Sequence, residues 1–207
     1  MSARGPTGAA AGPPPWLHDR PLPTEEVAVG APLFRVHPLH RGAVFFGPGP
    51  GVPPTYRFDP ASGRFGVLYA GLDRDAALVE TLLRNPARLM VPARDVEARA
   101  LSELRAARPL RLARALGEGL SLLGTDAALG TGPYGPCALW SDALWDHPDR
   151  PDGIVWASRH DPRHRCVALF ERDGLALRAA APVPLAALLP VVGRLLDEHG
   201  KSLATDP

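Results

Sequence analysis

The order of apolar and polar positions changes period several times along the chain, and each change marks an element. Leu33-Phe34-Arg35-Val36 is an apolar run with one charge inside it. A two-residue period puts Phe34 and Val36 on one face of a short strand and Leu33 and Arg35 on the other, so Arg35 can leave a core strand toward a cleft. Phe65 to Ala70, bounded by Gly63 and Gly71, predicts a second strand with Phe65, Val67 and a half-buried Tyr69 on a common face. The period then becomes helical. Asp73 suits an N-cap, and the helix it opens ends at Asn85-Pro86, because proline disfavours helical geometry in the residue before it. At roughly 100° per residue, Glu80 falls between Ala76, Ala77 and Leu83 and away from Arg74, so its carboxylate borders the apolar stripe. The small alanines beside it leave room for a ligand.

Elsewhere the pattern is more broken. Gly47-Pro48-Gly49-Pro50-Gly51-Val52-Pro53-Pro54 excludes helix and central strand and predicts a flap or lid. Asp95 to Ala107 reads as a mostly exposed helix or an irregular connection, Leu110 to Leu112 as a short strand and Tyr134 to Trp145 as an apolar helix. Gly153 to Ser158 and Cys166 to Glu171 predict two strands joined as a hairpin by the charged loop His160 to Arg165, with Ile154, Trp156 and Ser158 on one face. Leu185 to His199 has helical periodicity that Pro190 and Gly193 should bend or split. Strands scattered among helices of unequal length argue for a compact mixed α+β fold. No Gly-x-Gly-x-x-Gly follows a strand, which speaks against a doubly wound dinucleotide fold.

Composition narrows the class. With 207 residues, 45% hydrophobic and 22% charged, the chain suits one soluble domain with trimmings, and a net charge of +1 gives no general attraction to nucleic acid or acidic membranes. Cys137 and Cys166 alone make no disulfide framework, the N-terminus lacks a secretory pattern, and no apolar run reaches the roughly 18 to 20 residues of a membrane span. The expected location is cytoplasmic. Residues 1 to 30, rich in Gly, Ala and Pro, are expected to form a loose arm and 201 to 207 a polar tail, leaving a folded unit at 31 to 200.

Five polar residues stand at element ends or inner faces: Arg35, Arg57, Tyr69, Glu80 and Ser158. Each has a bland reading. A strand arginine can be a surface ion-pair partner, Arg57 can stabilise its own turn beside Asp59, Tyr69 can be a packed aromatic, and Glu80 a solvated helix residue. Together they supply an anion binder, an aromatic face and a carboxylate, which is the chemistry a charged nucleotide calls for. Rival readings are a metal site at His160, His164 and Cys166, where Pro162 breaks the helix that would align the histidines, and a nucleophilic Cys137 or Cys166 with a histidine. A binding module without catalysis is the remaining alternative.

In order along the chain, Leu33-Phe34-Arg35-Val36, Arg57-Phe58-Asp59-Pro60, Gly66-Val67-Leu68-Tyr69 with Glu80 eleven residues on, and Asp152 to Arg159 followed by Cys166 to Phe170 resemble the motifs of the RES domain family over about residues 31 to 172. Asp59 stands where that pattern usually has asparagine, next to Arg57, and the linker between the glutamate helix and the serine strand is long. The resemblance implies an ADP-ribosyltransferase-like fold and NAD+ as substrate, with no separate cofactor and no metal, inorganic phosphate being a possible co-substrate. It implies the toxin of a type II toxin-antitoxin pair, destroying NAD+ by phosphorolysis or hydrolysis; a protein ADP-ribosyltransferase of the same fold is the alternative. The expected partner is a separate antitoxin that covers the site, with a homo-oligomer left open. Glu80 would stabilise the oxocarbenium-like transition state, Arg35 and Arg57 would bind pyrophosphate, Tyr69 would stack or hold the ribose, and Ser158 would hydrogen-bond the nicotinamide amide or the attacking group. If phosphate attacks, Arg57 would receive it, with Arg159 as second choice. Alanine at Glu80 or Arg57 is expected to abolish NAD+ loss and leave the fold intact.

Overall fold

The computed structural model describes residues 12–49 and 51–204. Its frame is one nine-stranded sheet built from β1 (Thr24–Val27), β2 (Pro32–Pro38), β3 (Val67–Gly71), β5 (Arg99–Ala106), β6 (Leu110–Ala115), β7 (Gly153–Ala157), β8 (Arg165–Phe170), β9 (Leu177–Ala179) and β10 (Val183–Pro184). The order is β1-β6-β7-β8-β3-β2-β5-β10, with β9 also paired to β5; β6 and β7 run parallel and every other pair is antiparallel. A separate parallel pair joins β4 (Met90–Pro92) to β11 (Ser202–Ala204). Among the described residues there are six α-helices: α1 (Arg74–Leu82), α2 (Ala93–Glu97), α3 (Glu118–Leu123), α4 (Ala128–Thr131), α5 (Tyr134–Asp146) and α6 (Leu189–Glu198). This is the mixed α+β architecture expected from the pattern.

The central strands read as nearly unbroken apolar runs because both sheet faces are covered. Val67 and a half-buried Tyr69 of β3, Ile154 and Trp156 of β7, and Cys166, Ala168 and Phe170 of β8 pack with Cys137, Trp140 and Leu144 of α5. The alternate residues Leu68, Ala70, Val155, Val167 and Leu169 join Leu33, Leu104, Leu110 and Leu112 in a second core. A third core packs Ala77, Leu78, Val79 and Leu82 of α1 against Val192, Leu195 and Leu196 of α6, with Phe34 and Val36 of β2. The expected hairpin is β7–β8, with Trp156 opposite Cys166. The predicted split of the last helix falls at Leu189, where the 3-10 turn Leu185–Leu188 gives way to α6 with Pro190 in its first turn.

Several expectations need correction. Asp95 to Ala107 is neither exposed helix nor irregular connection beyond α2: Arg99–Ala106 is β5, held by β2 on one edge and by β9 and β10 on the other. Ala100, Ser102, Leu104 and Ala106 are buried in alternation along the strand, but Leu101 is buried as well, three of the four are small, and alanine is as much a helix signal as a strand filler. Residues 12 to 30 are not loose. Leu17 and Leu22 enter the first core, and β1 closes the sheet edge against β6 from Thr24 opposite Ala113 to Val27 opposite Leu110. The buried His147 donates its Nε2 proton to the carbonyls of Leu17 and Arg20, at 3.0 and 3.1 Å, and fastens this segment further. Residues 1–11 of the expected arm lie outside the described residues, as do 205–207 of the tail, whose Ser202–Ala204 is β11. Helix α1 ends at Leu82, a turn before Asn85, because the buried Leu83 leaves helical geometry and Asn85 accepts the Ala87 amide in a turn of its own.

Candidate active site

A cavity of about 610 Å³ opens where β2, β3 and α1 meet the end of the β7–β8 hairpin and the loop before β3. That is within the roughly 300 to 1,000 Å³ of small-molecule sites. Arg35, Arg57, Tyr69 and Glu80 line it, and Ser158 stands directly behind Glu80.

Helix α1 is set first. Asp73 accepts the Ala76 amide at 2.7 Å, the N-cap read from the sequence, and α1 presses so closely on β3 that a Cβ at Gly71 would lie 2.7 Å from Ala76 Cβ, Ala77 N and Asp73 O. Glycine is required there by contact. The helix thereby delivers Glu80 to the cavity, where Glu80 is the only carboxylate among the described lining residues. Ser158 Oγ donates to Glu80 Oε1 at 2.6 Å and accepts the amides of His160 and Asp161 at 3.1 and 3.3 Å. With both amides aimed at its lone pairs, the hydroxyl proton is directed to Glu80. Ser158 is buried and outside the cavity wall, and its single donor, which the sequence reading assigned to substrate, is engaged by Glu80. Cys166 lies beside Glu80, and burial, then the charges of Glu80 and Asp73, push its thiol well above the ordinary range. Such a thiol is no nucleophile at neutral pH.

Arg57 is 5% exposed. Its Nη1 donates to Gly132 O at 2.8 Å and to Leu129 O at 3.3 Å, and the guanidinium lies 4.8 Å from the Tyr134 ring centre. Its Nη2 is buried with no hydrogen-bond partner among the described residues. A buried guanidinium nitrogen left bare is costly unless something anionic or polar completes it. Nη1 thus braces the end of α4, and Nη2 is left without a partner.

Asp59 does not pair with Arg57. Its carboxylate accepts the amides of Thr55 and Tyr56 at 2.8 and 2.7 Å and the Tyr69 hydroxyl at 2.9 Å, while Tyr69 in turn accepts the Phe58 amide at 2.9 Å. Burial raises the Asp59 carboxyl and, with the Asp59 charge second, holds the Tyr69 phenol well above its ordinary value. The phenol oxygen is therefore committed to the turn that carries Arg57, and the Tyr69 ring, edge-on to Tyr56 and Trp156, belongs to the cavity wall. Arg35 also supports the fold. Its Nη1 donates to the carbonyls of Ala43 and Phe45 at 3.0 and 2.7 Å, and burial, with Arg41 adding to it, brings its pKa down to about 10.

Further side chains in the cavity wall went unread in the sequence or were read otherwise. Arg41, Arg84, Arg99 and Arg159 join Arg35 and Arg57, so six arginines and one carboxylate line the cavity among the described residues. Arg84 stands two residues past the end of α1, so the helical period that places Glu80 does not extend to it. Arg41 and Arg99 carry no local signal. His160 and Cys166, weighed above as metal ligands, both belong to this wall, whereas His164 pairs with Asp73 at 3.0 Å.

The pattern of the RES domain matches residues 32–188, a span that includes all five site residues. The chain belongs to the RES domain family. No curated protein matches the sequence. Among solved structures, a chain of the crystal structure of the M. tuberculosis MbcT–MbcA toxin–antitoxin complex is similar at 16% identity and a TM-score of 0.62, covering 84% of this chain and 91% of that one. At that identity the likeness speaks for the fold. This RES domain therefore has the α+β frame of that neighbour, with β1 and residues 12–31 lying ahead of the matched span.

Proposed function

We propose that this RES domain cleaves the bond between nicotinamide and ribose in NAD+, passing the ADP-ribosyl group to phosphate or water, and that it is the toxin of a toxin-antitoxin pair. The observation that carries this reading is Glu80, a single carboxylate gripped at 2.6 Å by a buried serine in a cavity otherwise edged with arginine. Cleavage sends the bonding electron pair to the pyridinium nitrogen and leaves positive charge on the ribosyl carbon. A fixed carboxylate favours that state over the neutral-sugar ground state, which is the condition for catalysis. The pyrophosphate and any attacking phosphate are anions, and Arg84 and Arg159 in the wall, with the unpartnered Nη2 of Arg57 behind it, supply donors for them. The Tyr69 ring offers a face to the nicotinamide or ribose.

Membership of the family and the likeness to a chain of a toxin–antitoxin complex support the biological role. Exposed apolar side chains at the cavity mouth, Phe45, Val52, Tyr56 and Tyr134, support a separate antitoxin that covers it. An enzyme that drains NAD+ would act in the cytoplasm; among the described residues no helix is long and apolar enough to cross a membrane. The test is to incubate the purified protein with NAD+, with and without phosphate, and to identify products by mass spectrometry. Glu80→Gln should lower nicotinamide release about 100- to 1,000-fold, the scale of removing one preorganised electrostatic group. An equal rate in wild type and variant would refute the reading.

A further inference from the structure

His160 is a cavity residue to which the site so far gives no task. It follows Ser158 by two positions, and its amide donates to the Ser158 hydroxyl that grips Glu80, so its backbone is fixed to the same anchor. The imidazole lines the cavity half-buried, and neither ring nitrogen has a hydrogen-bond partner among the described residues. Glu80 is the carboxylate assigned to the ribosyl cation, and the other proton acceptors in the wall are engaged. His37 is buried, with Nδ1 donating to Arg41 O at 2.9 Å and Nε2 bonded to Ser102 Oγ at 2.9 Å. The Tyr69 hydroxyl is held by Asp59 and Phe58, the Ser158 proton is spent on Glu80, and the Cys166 thiol stays protonated.

We propose that His160 is the general base that takes the proton from a neutral hydroxyl acceptor, water above all, as that acceptor attacks the ribosyl carbon. This rests on the NAD-cleaving reading and goes beyond it by dividing the two acceptors chemically. The charged groups that act on the imidazole are Glu80 from α1, Arg84 just past the end of that helix, Arg57 from the loop before β3, and Arg159 from its own loop. Burial holds the imidazole below its ordinary 6.5; Glu80 opposes this, and Arg159, Arg84 and Arg57 add to it. The ring is therefore neutral at pH 7 and able to accept a proton.

The step balances as follows. The ribosyl carbon–nitrogen bond breaks and its electrons neutralise the pyridinium as nicotinamide leaves. The water oxygen forms the new bond to carbon, and one of its protons passes to the free ring nitrogen of His160 and then to solvent, so that NAD+ and water give ADP-ribose, nicotinamide and a proton. Phosphate dianion attacks through an oxygen that carries no proton, so that route has no need of a base. His160 thus sets how the bound ADP-ribosyl group divides between water and phosphate.

The test compares wild type with His160→Gln and His160→Asn, measuring ADP-ribose and ADP-ribose 1-phosphate from pH 5 to 9 with and without phosphate. ADP-ribose formation should fall about 100-fold, the usual worth of a general base, and the ratio of phosphorylated to hydrolysed product should rise at least about tenfold. The acidic limb of wild-type hydrolysis, lying below the ordinary imidazole range, should vanish in both variants. An unchanged product ratio would mean a structural role and would overturn the proposal. So would a retained acidic limb, or a wild type that releases nicotinamide only when phosphate is present. A wild type inert toward NAD+ under every condition would instead remove the NAD-cleaving reading and take this assignment with it.

Discussion

Replacing Ser158 by alanine separates positioning from binding. The hydroxyl makes three contacts: it donates to Glu80 at 2.6 Å and accepts from the His160 and Asp161 amides at 3.1 and 3.3 Å. A hydrogen bond to a charged group contributes about 1.5 to 3 kcal/mol, so if all of it is lost in the transition state, kcat falls about 10- to 150-fold. KM should hardly move, because Ser158 lies outside the cavity wall. The two amides lose their acceptor, and at about 1 to 2 kcal/mol each the cost is roughly 2 to 4 kcal/mol. For a chain of this length that corresponds to a Tm lower by roughly 4 to 16 °C. Steady-state kinetics of NAD+ loss should be run well below the variant's melting range, with circular dichroism confirming the folded state. A kcat within threefold of wild type would refute the positioning argument. A raised KM at constant kcat would show that Ser158 touches substrate after all.

Two further substitutions read the framework. Arg57→Ala removes the brace on Gly132 O and Leu129 O and empties a buried site, so in contrast to the sequence expectation it should destabilise the fold, by about 3 to 5 kcal/mol. Calorimetry should find a clearly lowered Tm, and a Tm within about 2 °C of wild type would mean the brace carries no load. Asp161 is buried, is bonded by Arg163 Nε at 2.9 Å and lies 3.2 Å from His199 Nε2; the Arg163 hydrogen bonds, foremost, hold its carboxyl far below 3.8. Because its folded pKa is depressed, its stabilising contribution is present above about pH 4 and is lost as pH falls further. Thermal melts should show wild type more stable than Asp161→Asn by a constant margin from pH 7 to about 4 that narrows below, and a margin unchanged at pH 3 would contradict the ion pairing.

What could be read from the residues follows from how local each signal is. The Asp73 cap, the alternation through Tyr69 and the β7–β8 hairpin are encoded within a few residues, and the structure has them. Strand β5 is fixed by partners distant in sequence: its neighbours β2, β9 and β10 come from residues 32–38, 177–179 and 183–184, and nothing inside Arg99–Ala106 announces them. The segment before residue 31 misled for a related reason. Low apolar content predicts disorder only when the few large residues find no acceptor, and here Leu17, Leu22 and Val27 each fill a position in a core made by the rest of the chain.

The same distinction explains the site. Residue types at the right spacing disclosed which side chains gather around the cavity, since Arg35, Arg57, Tyr69 and Glu80 all line it. They could not disclose how each polar atom is used, because hydrogen-bond capacity is shared out only in three dimensions. Tyr69 and Ser158 look from the sequence like substrate contacts, yet one hydroxyl holds the Asp59 turn and the other holds Glu80. Arg57 is divided between the carbonyls at the end of α4 and a buried, unpartnered Nη2. The serine and the tyrosine hydroxyl thus act by fixing the carboxylate and the turn that carries Arg57, and the wall residues left to meet a ligand include Glu80, Arg84, Arg159 and the unbonded imidazole of His160.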